Sequence, residues 1–387
     1  MDNCVIPHGY KATALGIIPQ EWEVMLLGNL SNSISSGRNK HRDAHGQYPV
    51  FGSTGIIGYS STYEYEGPVI LVARVGANAG TLNFASGQYD VSDNTLIITI
   101  KQNVYDYNFA YNQLTHYKLN KLVFGSGQPL ITSKQLKNIR IPVPPLAEQR
   151  KIAEVLGVWD KAIEKQARLI EKLALRKRAL MQRLLSAKLR LPGFSEPWKT
   201  LHIADFAFEI NSRNKSNSPY EVLSCTKYEG LVSSLKYFGK QIYSDDLSTY
   251  KIVPKNRFAY ATNHIEEGSI GYQSKYDQAL ISPMYTVFGT NPSLINDAFL
   301  YKLLKTQKLI YLYKSRMEGS IDRRGGLRWN DFASIKIALP SIEEQTAIAE
   351  VLTAADREIE LAKEKLERLR RQKRGLMQQL LTGKKRI

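Results

Sequence analysis

The chain has 387 residues, of which 43% are hydrophobic and 23% charged, and this balance predicts a folded globular protein of at least two domains. Its 53 lysines and arginines outnumber its 36 acidic residues, and the net charge of +17 favours a polyanionic partner, nucleic acid before an anionic membrane. The sequence shows no secretion signal and no apolar run long enough to span a membrane, and Cys4 and Cys225 form no zinc or disulfide pattern. We therefore expect a cytoplasmic location.

The first segment is strand-rich. IPQEWEVMLLGNL around Trp22 precedes the basic sequence GRNK at Gly37, and VILVARVG at Val69 and TLIITIK at Thr95 are β-branched runs bounded by glycine and asparagine. The sequence FGSGQP at Phe124 then leads into ITSKQLKNIRIPVPPL. These features predict a mixed module of strands and helices over residues 1–145, which we call module 1.

A long helix is predicted over residues 146–190. The step Pro144-Pro145 suits a helix start, and no further proline occurs until Pro192. Apolar residues recur at heptad spacing, interrupted at Gln166 and Lys177, and such spacing is typical of a coiled coil. The proposed seam residues in this helix are Ile152, Leu156, Trp159, Ile163 and Leu180.

The same layout then recurs. FSEPWKTLHIADF around Trp198, SRNK at Ser212, the strand-like RFAYAT at Arg257 and MYTVFGT at Met284, and the helical NDAFLYKLLKTQKLIYLYK at Asn296 predict module 2 over residues 191–341. A second long helix is predicted over residues 342–387. Its proposed seam residues are Ile348, Leu352, Ile359, Leu366 and Leu376.

The two long helices are copies of one another. IPVPPLAEQRKIAEVL from Ile141 aligns without gaps with IALPSIEEQTAIAEVL from Ile337, and LMQRLL at Leu180 aligns with LMQQLL at Leu376. Because the modules also begin alike, the chain contains an internal duplication. We predict an α+β protein in which two modules are separated by two antiparallel helices of roughly 60 Å, with pseudo-two-fold symmetry. Apolar residues beside the seam, Val155, Val351, Leu169 and Met377, predict a bundle larger than two helices.

This arrangement resembles the specificity subunit of type I restriction-modification enzymes. The resemblance is carried by PLAEQRKIAEVL and PSIEEQTAIAEVL, by LMQRLL and LMQQLL, and by the lead-in GSGQPLITSKQLKNIRIPVPPL, from which module 2 departs with IDRRGGLRWNDFASIKIALP at Ile321. It implies that each module recognises one half of an asymmetric, interrupted target in double-stranded DNA. It also implies that the helices set the spacing of the half-sites and dock two methyltransferase subunits, and that the segment up to Trp22 packs near the end of the second helix.

The resemblance further implies that this chain catalyses no reaction and binds no cofactor. S-adenosylmethionine would belong to the methyltransferase subunits, and ATP with Mg²⁺ to two restriction subunits, where the complex contains them. The sequence agrees, since it has no Walker A motif and no complete [ND]PP[YF] element; the nearest fragment is NPSL at Asn291.

Candidate DNA contacts are hydrogen-bond donors in loops, because arginine and lysine neutralise phosphates and arginine or asparagine can bind base edges. An ordinary solvated loop is the alternative interpretation at each position. The candidates are Arg38, Asn39, Lys40, Arg42, Ser126, Gln128 and Lys134 in module 1, and Arg213, Asn214, Lys215, Asn263, His264, Arg316, Arg323, Arg324 and Arg328 in module 2.

We predict no metal site, since His41 and His45 stand four residues apart without further ligands at a recognisable spacing. The adjacent carboxylates Glu266 and Glu267 are expected at the surface. The alternative to a DNA-binding subunit is a coiled-coil scaffold whose two modules recognise something other than DNA. Binding of duplex DNA that weakens as salt rises would distinguish the two hypotheses.

Overall fold

The computed structural model describes residues 6–123, 129–318 and 326–387. By its internal contacts the chain divides into unit 1, formed by Met1–Arg168 and Lys363–Ile387, and unit 2, formed by Leu169–Ala362. Each unit thus contains one module and parts of both long helices. Within the described ranges, no helix is both long enough and apolar enough to cross a bilayer.

Module 1 is built on an antiparallel sheet whose strand order is β4-β11-β8-β9. A second sheet has the order β6-β5-β10-β7, in which β5 lies parallel to β10, and β12 pairs with β3. The strands are β1 (Tyr10–Thr13), β2 (Gly16–Pro19), β3 (Glu23–Leu26), β4 (Ser31–Ser36), β5 (Tyr48–Gly52), β6 (Gly55–Ser60), β7 (Tyr65–Glu66), β8 (Val69–Ala73), β9 (Leu82–Ala85), β10 (Gln88–Val91), β11 (Thr95–Ile100) and β12 (Arg140–Val143), and the short helices are α1 (Leu27–Leu30), α2 (Tyr107–Tyr117) and α3 (Ser133–Lys137).

The first long helix, α4, spans Leu146–Leu184. Module 2 follows, with an antiparallel sheet in the order β14-β21-β18-β19, the hairpin β15-β16, the antiparallel pair β17-β20, and β13 paired with β22. The strands are β13 (Lys199–His202), β14 (Ala207–Ile210), β15 (Leu223–Thr226), β16 (Gly230–Ser233), β17 (Lys251–Pro254), β18 (Arg257–Ala261), β19 (Ile270–Gln273), β20 (Gln278–Ile281), β21 (Tyr285–Thr290) and β22 (Lys336–Leu339), and the helices are α5 (Ser234–Phe238), α6 (Asp297–Leu304), α7 (Gln307–Glu318), α8 (Trp329–Ala333) and the second long helix α9 (Ile342–Leu380).

The predicted α+β class is confirmed, and the two modules share one plan. The central strands β8 and β11 are β-branched runs buried on both faces, which is why they lack polar alternation. Ile70 and Ile98 face the main core, whereas Leu71 and Ile97 face a smaller cluster on the other side of the sheet. In module 2, Phe258 and Phe288 occupy the corresponding main core, with Ala259 and Val287 in the smaller one.

Within each unit, the start of one long helix lies beside the end of the other, so the two run antiparallel. In unit 1, Lys373 Nζ lies 2.6 Å from Asp160 Oδ1. In unit 2, the equivalent ion pair joins Lys177 to Asp356. Lys177, which interrupts the apolar heptad pattern, therefore has a polar partner on the facing helix.

Both long helices end earlier than the sequence pattern predicts, at Leu184 and Leu380 instead of residues 190 and 387. The chain leaves each helix through a residue with positive φ, Ala187 at 57° and Gly383 at 72°. The N–H of Leu189 bonds the carbonyl of Arg183, and that of Lys385 bonds Gln379. This six-residue closure satisfies the last helical carbonyls and favours glycine at the left-handed position.

Most of the apolar side chains that lie beside the seam are covered by the modules. Val155 and Met377 pack into the core of module 1, and Val351 packs into that of module 2. The prediction that these residues require a larger helical bundle is therefore wrong for three of the four, and only Leu169 is exposed, at 44%. Of the proposed seam residues, Ile152, Leu156, Ile348, Leu352 and Leu366 are buried, and Trp159, Ile163, Leu180, Ile359 and Leu376 are half-buried.

The repeated Glu-Gln pair at the start of each long helix fixes the helix to its module. Gln149 is fully buried; its amide donates to the carbonyls of Val104 and Pro144 and accepts the N–H of Asp106, each at 2.8 or 2.9 Å. Asp106 in turn caps α2. Gln345 makes the same set of bonds in unit 2, where it accepts the N–H of Asn296, the residue that caps α6.

Candidate nucleic-acid interface

The repeated sequence Arg-Asn-Lys lies in the same loop of both modules, directly after β4 and soon after β14. In module 1, Arg38 and Lys40 are exposed, whereas Asn39 is half-buried and donates its amide to Asp90 while accepting the N–H of His41. The asparagine faces inward and holds the loop, and the two cations on either side face outward.

Module 2 repeats this alternation with different partners. Asn214 is 1% exposed, and its amide bonds the carbonyls of Ser218 and Leu247 and accepts the N–H of Ser218. Arg213 and Lys215 are exposed. Its hydrogen-bonding groups are used within the loop, so Asn214 is less available to DNA than the sequence analysis predicts, and its contact with DNA stays an untested prediction. Asn39 is engaged in the same way, and the outward cations carry the candidate contacts.

The loop of module 1 requires glycine before Arg38. A Cβ on Gly37 would lie 2.4 Å from the carbonyl oxygens of Val91 and Ser92, so a larger residue would push the loop away from this strand. The N–H of Asn39 bonds the Val91 carbonyl at 2.9 Å along the same edge. The position of Arg38 and Lys40 is therefore set by close backbone packing.

Arg42 and Lys134, the other described candidates in module 1, are also exposed. The aliphatic part of Arg42 lies over Gly58 on β6, and Lys134 lies on α3. Arg74, at the end of β8, was missed by sequence analysis because it stands in an apolar run. It is half-buried and donates from Nη1 to Ser36 Oγ at 3.2 Å, beside the loop that carries Arg38.

In module 2, two predicted groups converge. The N–H of Leu327 bonds the carbonyl of Thr262 at 2.8 Å, and Gly326 packs so tightly here that a Cβ would lie 2.6 Å from the nitrogen of Asn263. The exposed residues Asn263 and His264 therefore lie close in space to the segment that leads to Arg328, which is also exposed.

Arg316 has a structural use. Its guanidinium donates to the carbonyl of Asp331 at 2.7 Å and to the hydroxyl of Ser334, which ties α7 to the region of α8. These bonds occupy Nη1, so Arg316 is less available to DNA than sequence analysis predicts. Ser126, Gln128, Arg323 and Arg324 lie outside the described residues.

A further cation of module 2 lies beside the Arg-Asn-Lys loop. Arg213 forms an isolated β-bridge with Lys251. Partial burial lowers the pKa of Lys251, Glu209 opposes that shift, and the charge of Arg213 adds to it. A phosphate near this pair would relieve the repulsion between the two cations.

The histidines His41 and His45 are exposed and offer their backbone N–H groups to Asn39 and Asp43 in their own loop. Among the described residues, the group with ligand atoms close enough to hold a metal ion is His264 with Glu266 and Glu267, all within 4.8 Å of one another. These side chains are exposed or half-buried, and Nδ1 of His264 lies 3.5 Å from Glu267. We assign no metal to this cluster.

The long helices carry exposed residues that are identical in both copies of the repeat. Glu154 and Glu350, Arg178 and Arg374, and Gln182 and Gln378 are exposed pairs separated by the repeat length. Burial in the seam cannot explain their identity, since none of them packs in it. A surface that is alike on both copies suits two copies of one partner.

Comparison with known proteins supplies the family. The model of the family described as the type I restriction modification DNA specificity domain matches residues 19–174 and again residues 196–371. The type I restriction enzyme MjaVIII specificity subunit of Methanocaldococcus jannaschii is 25% identical over 407 residues, which cover 96% of this chain and 94% of that protein.

Two solved structures share the fold. The S subunit of a type I restriction-modification system from M. genitalium gives a TM-score of 0.60 at 18% identity, covering 93% of this chain and 96% of that one. A chain from a structure concerned with complex assembly and conformational transition of the type I R-M system gives a TM-score of 0.55 at 17% identity, covering 95% and 99%. The likeness extends over both modules and both long helices.

Proposed function

Because the chain belongs to the type I restriction-modification DNA specificity family, we propose that it is the subunit that recognises DNA in such a complex and that it catalyses no reaction. Each module would contact one half of an asymmetric, interrupted target in duplex DNA. The observation that carries this proposal is the equivalent loop in each module, where an inward asparagine leaves a cation exposed on either side. The sequence-specific part of binding would come from residues that differ between the modules.

Contacts from these loops to phosphates predict a strong dependence of DNA affinity on salt. We expect the combined substitution Arg38→Ala, Lys40→Ala and Arg42→Ala to lower the slope of log affinity against log salt by about 2 to 3, since each lost phosphate contact removes roughly 0.9. Fluorescence anisotropy of the full chain with a labelled duplex, measured over a salt series, gives this slope.

A matched control removes three exposed lysines from α4, Lys161, Lys165 and Lys172, by substitution with alanine. It changes the net charge equally and should leave the slope almost unchanged. If the slope falls equally in the two variants, DNA binding depends on the total charge alone. Duplex binding without any salt dependence would contradict the proposal itself.

The long helices are proposed to set the spacing of the half-sites and to dock two methyltransferase subunits. S-adenosylmethionine would be used by those subunits, and ATP with Mg²⁺ by restriction subunits where they are present. The support is the set of exposed residues that both helices retain, described above. The cytoplasmic location stays a prediction.

Charge reversal at the retained arginines tests the docking surface. The paired substitution Arg178→Glu and Arg374→Glu should weaken association with the methyltransferase subunits by on the order of tenfold or more, because it reverses the charge at two equivalent positions of the proposed docking surface. Both arginines are exposed, so the fold should be preserved. Surface plasmon resonance with immobilised chain measures the affinity.

Lys165→Glu is the control for this substitution, since Lys165 is exposed but is replaced by leucine at the equivalent position, Leu361. It should keep the association, and the DNA affinity of all three proteins should be similar. If the paired arginine variant binds the methyltransferase as the unmodified chain does, the docking surface lies elsewhere.

A further inference from the structure

Each module contains a β-hairpin that is attached to its sheet in the same way. In module 1 the hairpin is β5-β6, and β5 pairs in parallel with β10, where Val50 lies opposite Asp90. In module 2 it is β15-β16, and Val222 at its start forms a parallel bridge with Leu280 on β20. Both β10 and β20 directly precede the last strand of the main sheet, so the hairpins are topological equivalents.

Both hairpins expose large apolar or aromatic side chains. In module 1, Ile56 and Tyr59 on β6 are 54% and 48% exposed. In module 2, Tyr228 at the turn is 84% exposed, and Tyr237 and Phe238, on α5 immediately after β16, are 49% and 44% exposed. The two modules thus expose apolar or aromatic side chains near the same hairpin, on β6 in module 1 and at the turn and on α5 in module 2, and such a cluster beside cations is typical of a binding surface.

Cations lie beside both hairpins, although Arg38 also lies 3.7 Å from the carboxylate of Glu64. In module 1, the loop with Arg38, Lys40 and Arg42 runs along β6: Asp43 donates its N–H to the carbonyl of Tyr59 at 2.8 Å, and Arg42 packs over Gly58. These cations complement a polyanion. Because the loop runs along β6, Tyr59 lies next to the proposed phosphate contacts.

In module 2, an open cavity of about 380 Å³ runs beside the hairpin. Its charged lining residues are Lys236 and Glu229 from the hairpin side and Lys275 from the turn after β19, and its aromatic ones are Tyr237, Tyr272 and Tyr276. Lys227 Nζ lies 5.4 Å from the ring centroid of Tyr228. Lysines therefore accompany the exposed aromatic rings in this module as well.

The hairpins differ from one another far more than the helices do. β5 and β6 have five and six residues, whereas β15 and β16 have four each and continue into α5, which has no counterpart after β6. A partner that binds both copies requires like surfaces, as on the long helices. A surface that recognises different bases in the two half-sites requires unlike ones.

On these grounds, and resting on the proposed function, we infer that the two hairpins, together with α5 in module 2, are the base-recognising elements: Ile56 and Tyr59 on β6 recognise one half-site, and Tyr237 and Phe238 on α5 recognise the other. Their rings and apolar edges contact bases in the groove, while the neighbouring Arg-Asn-Lys loop contacts phosphates. The loop thus supplies affinity and the hairpin supplies sequence preference.

The test is selection of bound duplexes by the purified full-length chain from a pool with randomised sequence. The unmodified chain should enrich a two-part motif. The variant Tyr237→Ala with Phe238→Ala should lose the base preference of one half by on the order of tenfold per base pair and keep the other half. The variant Ile56→Ala with Tyr59→Ala should lose the opposite half.

Tyr311→Ala is the control, because Tyr311 is 74% exposed on α7, outside the hairpin, and its loss should change neither half. The half-site that each variant retains shows that the chain is folded. If the hairpin variants select the same two halves as the unmodified chain, or lose both halves together, the inference is wrong. If the unmodified chain enriches no motif, the proposed function itself fails.

Discussion

Replacing Gln149 with alanine is expected to destabilise unit 1 by about 3 kcal/mol, because it leaves buried backbone groups without partners. The amide of Gln149 bonds the carbonyls of Val104 and Pro144 and the N–H of Asp106, and it is inaccessible to solvent. The bond to Pro144 is buried and the bonds to Val104 and Asp106 are partly buried, so water would replace the lost amide only in part. Gln345→Ala should act similarly in unit 2, where the same three kinds of bond exist.

Urea denaturation followed by circular dichroism measures the loss of stability. Gln182→Ala is the matched control, since it is the same substitution in the same helix at an exposed position, and it should change the free energy of unfolding by less than about 0.5 kcal/mol. Equal midpoints for the Gln149 and Gln182 variants would show that the buried amide contributes nothing to holding the helix.

Replacing Arg386 with alanine is expected to cost about 2 kcal/mol, less than the 3–5 typical of a fully buried pair because this guanidinium is 40% exposed. Its Nε and Nη2 donate to the two carboxylate oxygens of Glu148 at 3.1 and 2.9 Å, and Nη2 also reaches Glu21 at 2.7 Å. The Glu148 side chain is only 7% exposed, so the variant leaves a carboxylate away from water, with Trp22 Nε1 as its remaining side-chain donor at 3.1 Å.

Differential scanning calorimetry of the full chain should show the transition of unit 1 at a lower temperature in this variant. Glu21→Ala serves as the control: it removes one bond to Arg386, but Glu21 is 63% exposed and such pairs contribute little. Arg386→Lys should fall between the two, since lysine keeps the charge but cannot contact both oxygens with a planar fork. If the Arg386→Ala and Glu21→Ala variants have the same transition temperature, this account is wrong.

The helices and central strands were predictable because their signals are local. The heptad spacing of Ile348 and Leu352, and the uninterrupted apolar run at Val69, depend on neighbours in sequence. The duplication added the pairing of equivalent positions, such as Glu148 with Glu344. The duplication could not explain why these two glutamates are identical. Each contacts an arginine that is distant in the sequence, Arg386 for Glu148 and Arg190 for Glu344.

The candidate site was predictable only in outline. The sequence Arg-Asn-Lys predicts three donors, but which side chain faces inward depends on partners 51 and 33 residues away, Asp90 for Asn39 and Leu247 for Asn214. The exposed aromatics Tyr59 and Tyr237 were missed for the opposite reason. In a sequence, an aromatic residue in a strand or a helix is expected in the core, and its exposure is decided by tertiary packing.

The division of the chain into units has a consequence for biosynthesis. Unit 2 is one continuous stretch, whereas unit 1 combines the N-terminal residues with Lys363–Ile387. Met377, Leu380 and Leu381 are buried in the core that contains Trp22 and Phe109. During synthesis, module 1 therefore emerges with part of its core uncovered until the Lys363–Ile387 segment has been made, so a domain that begins before unit 2 is completed after it.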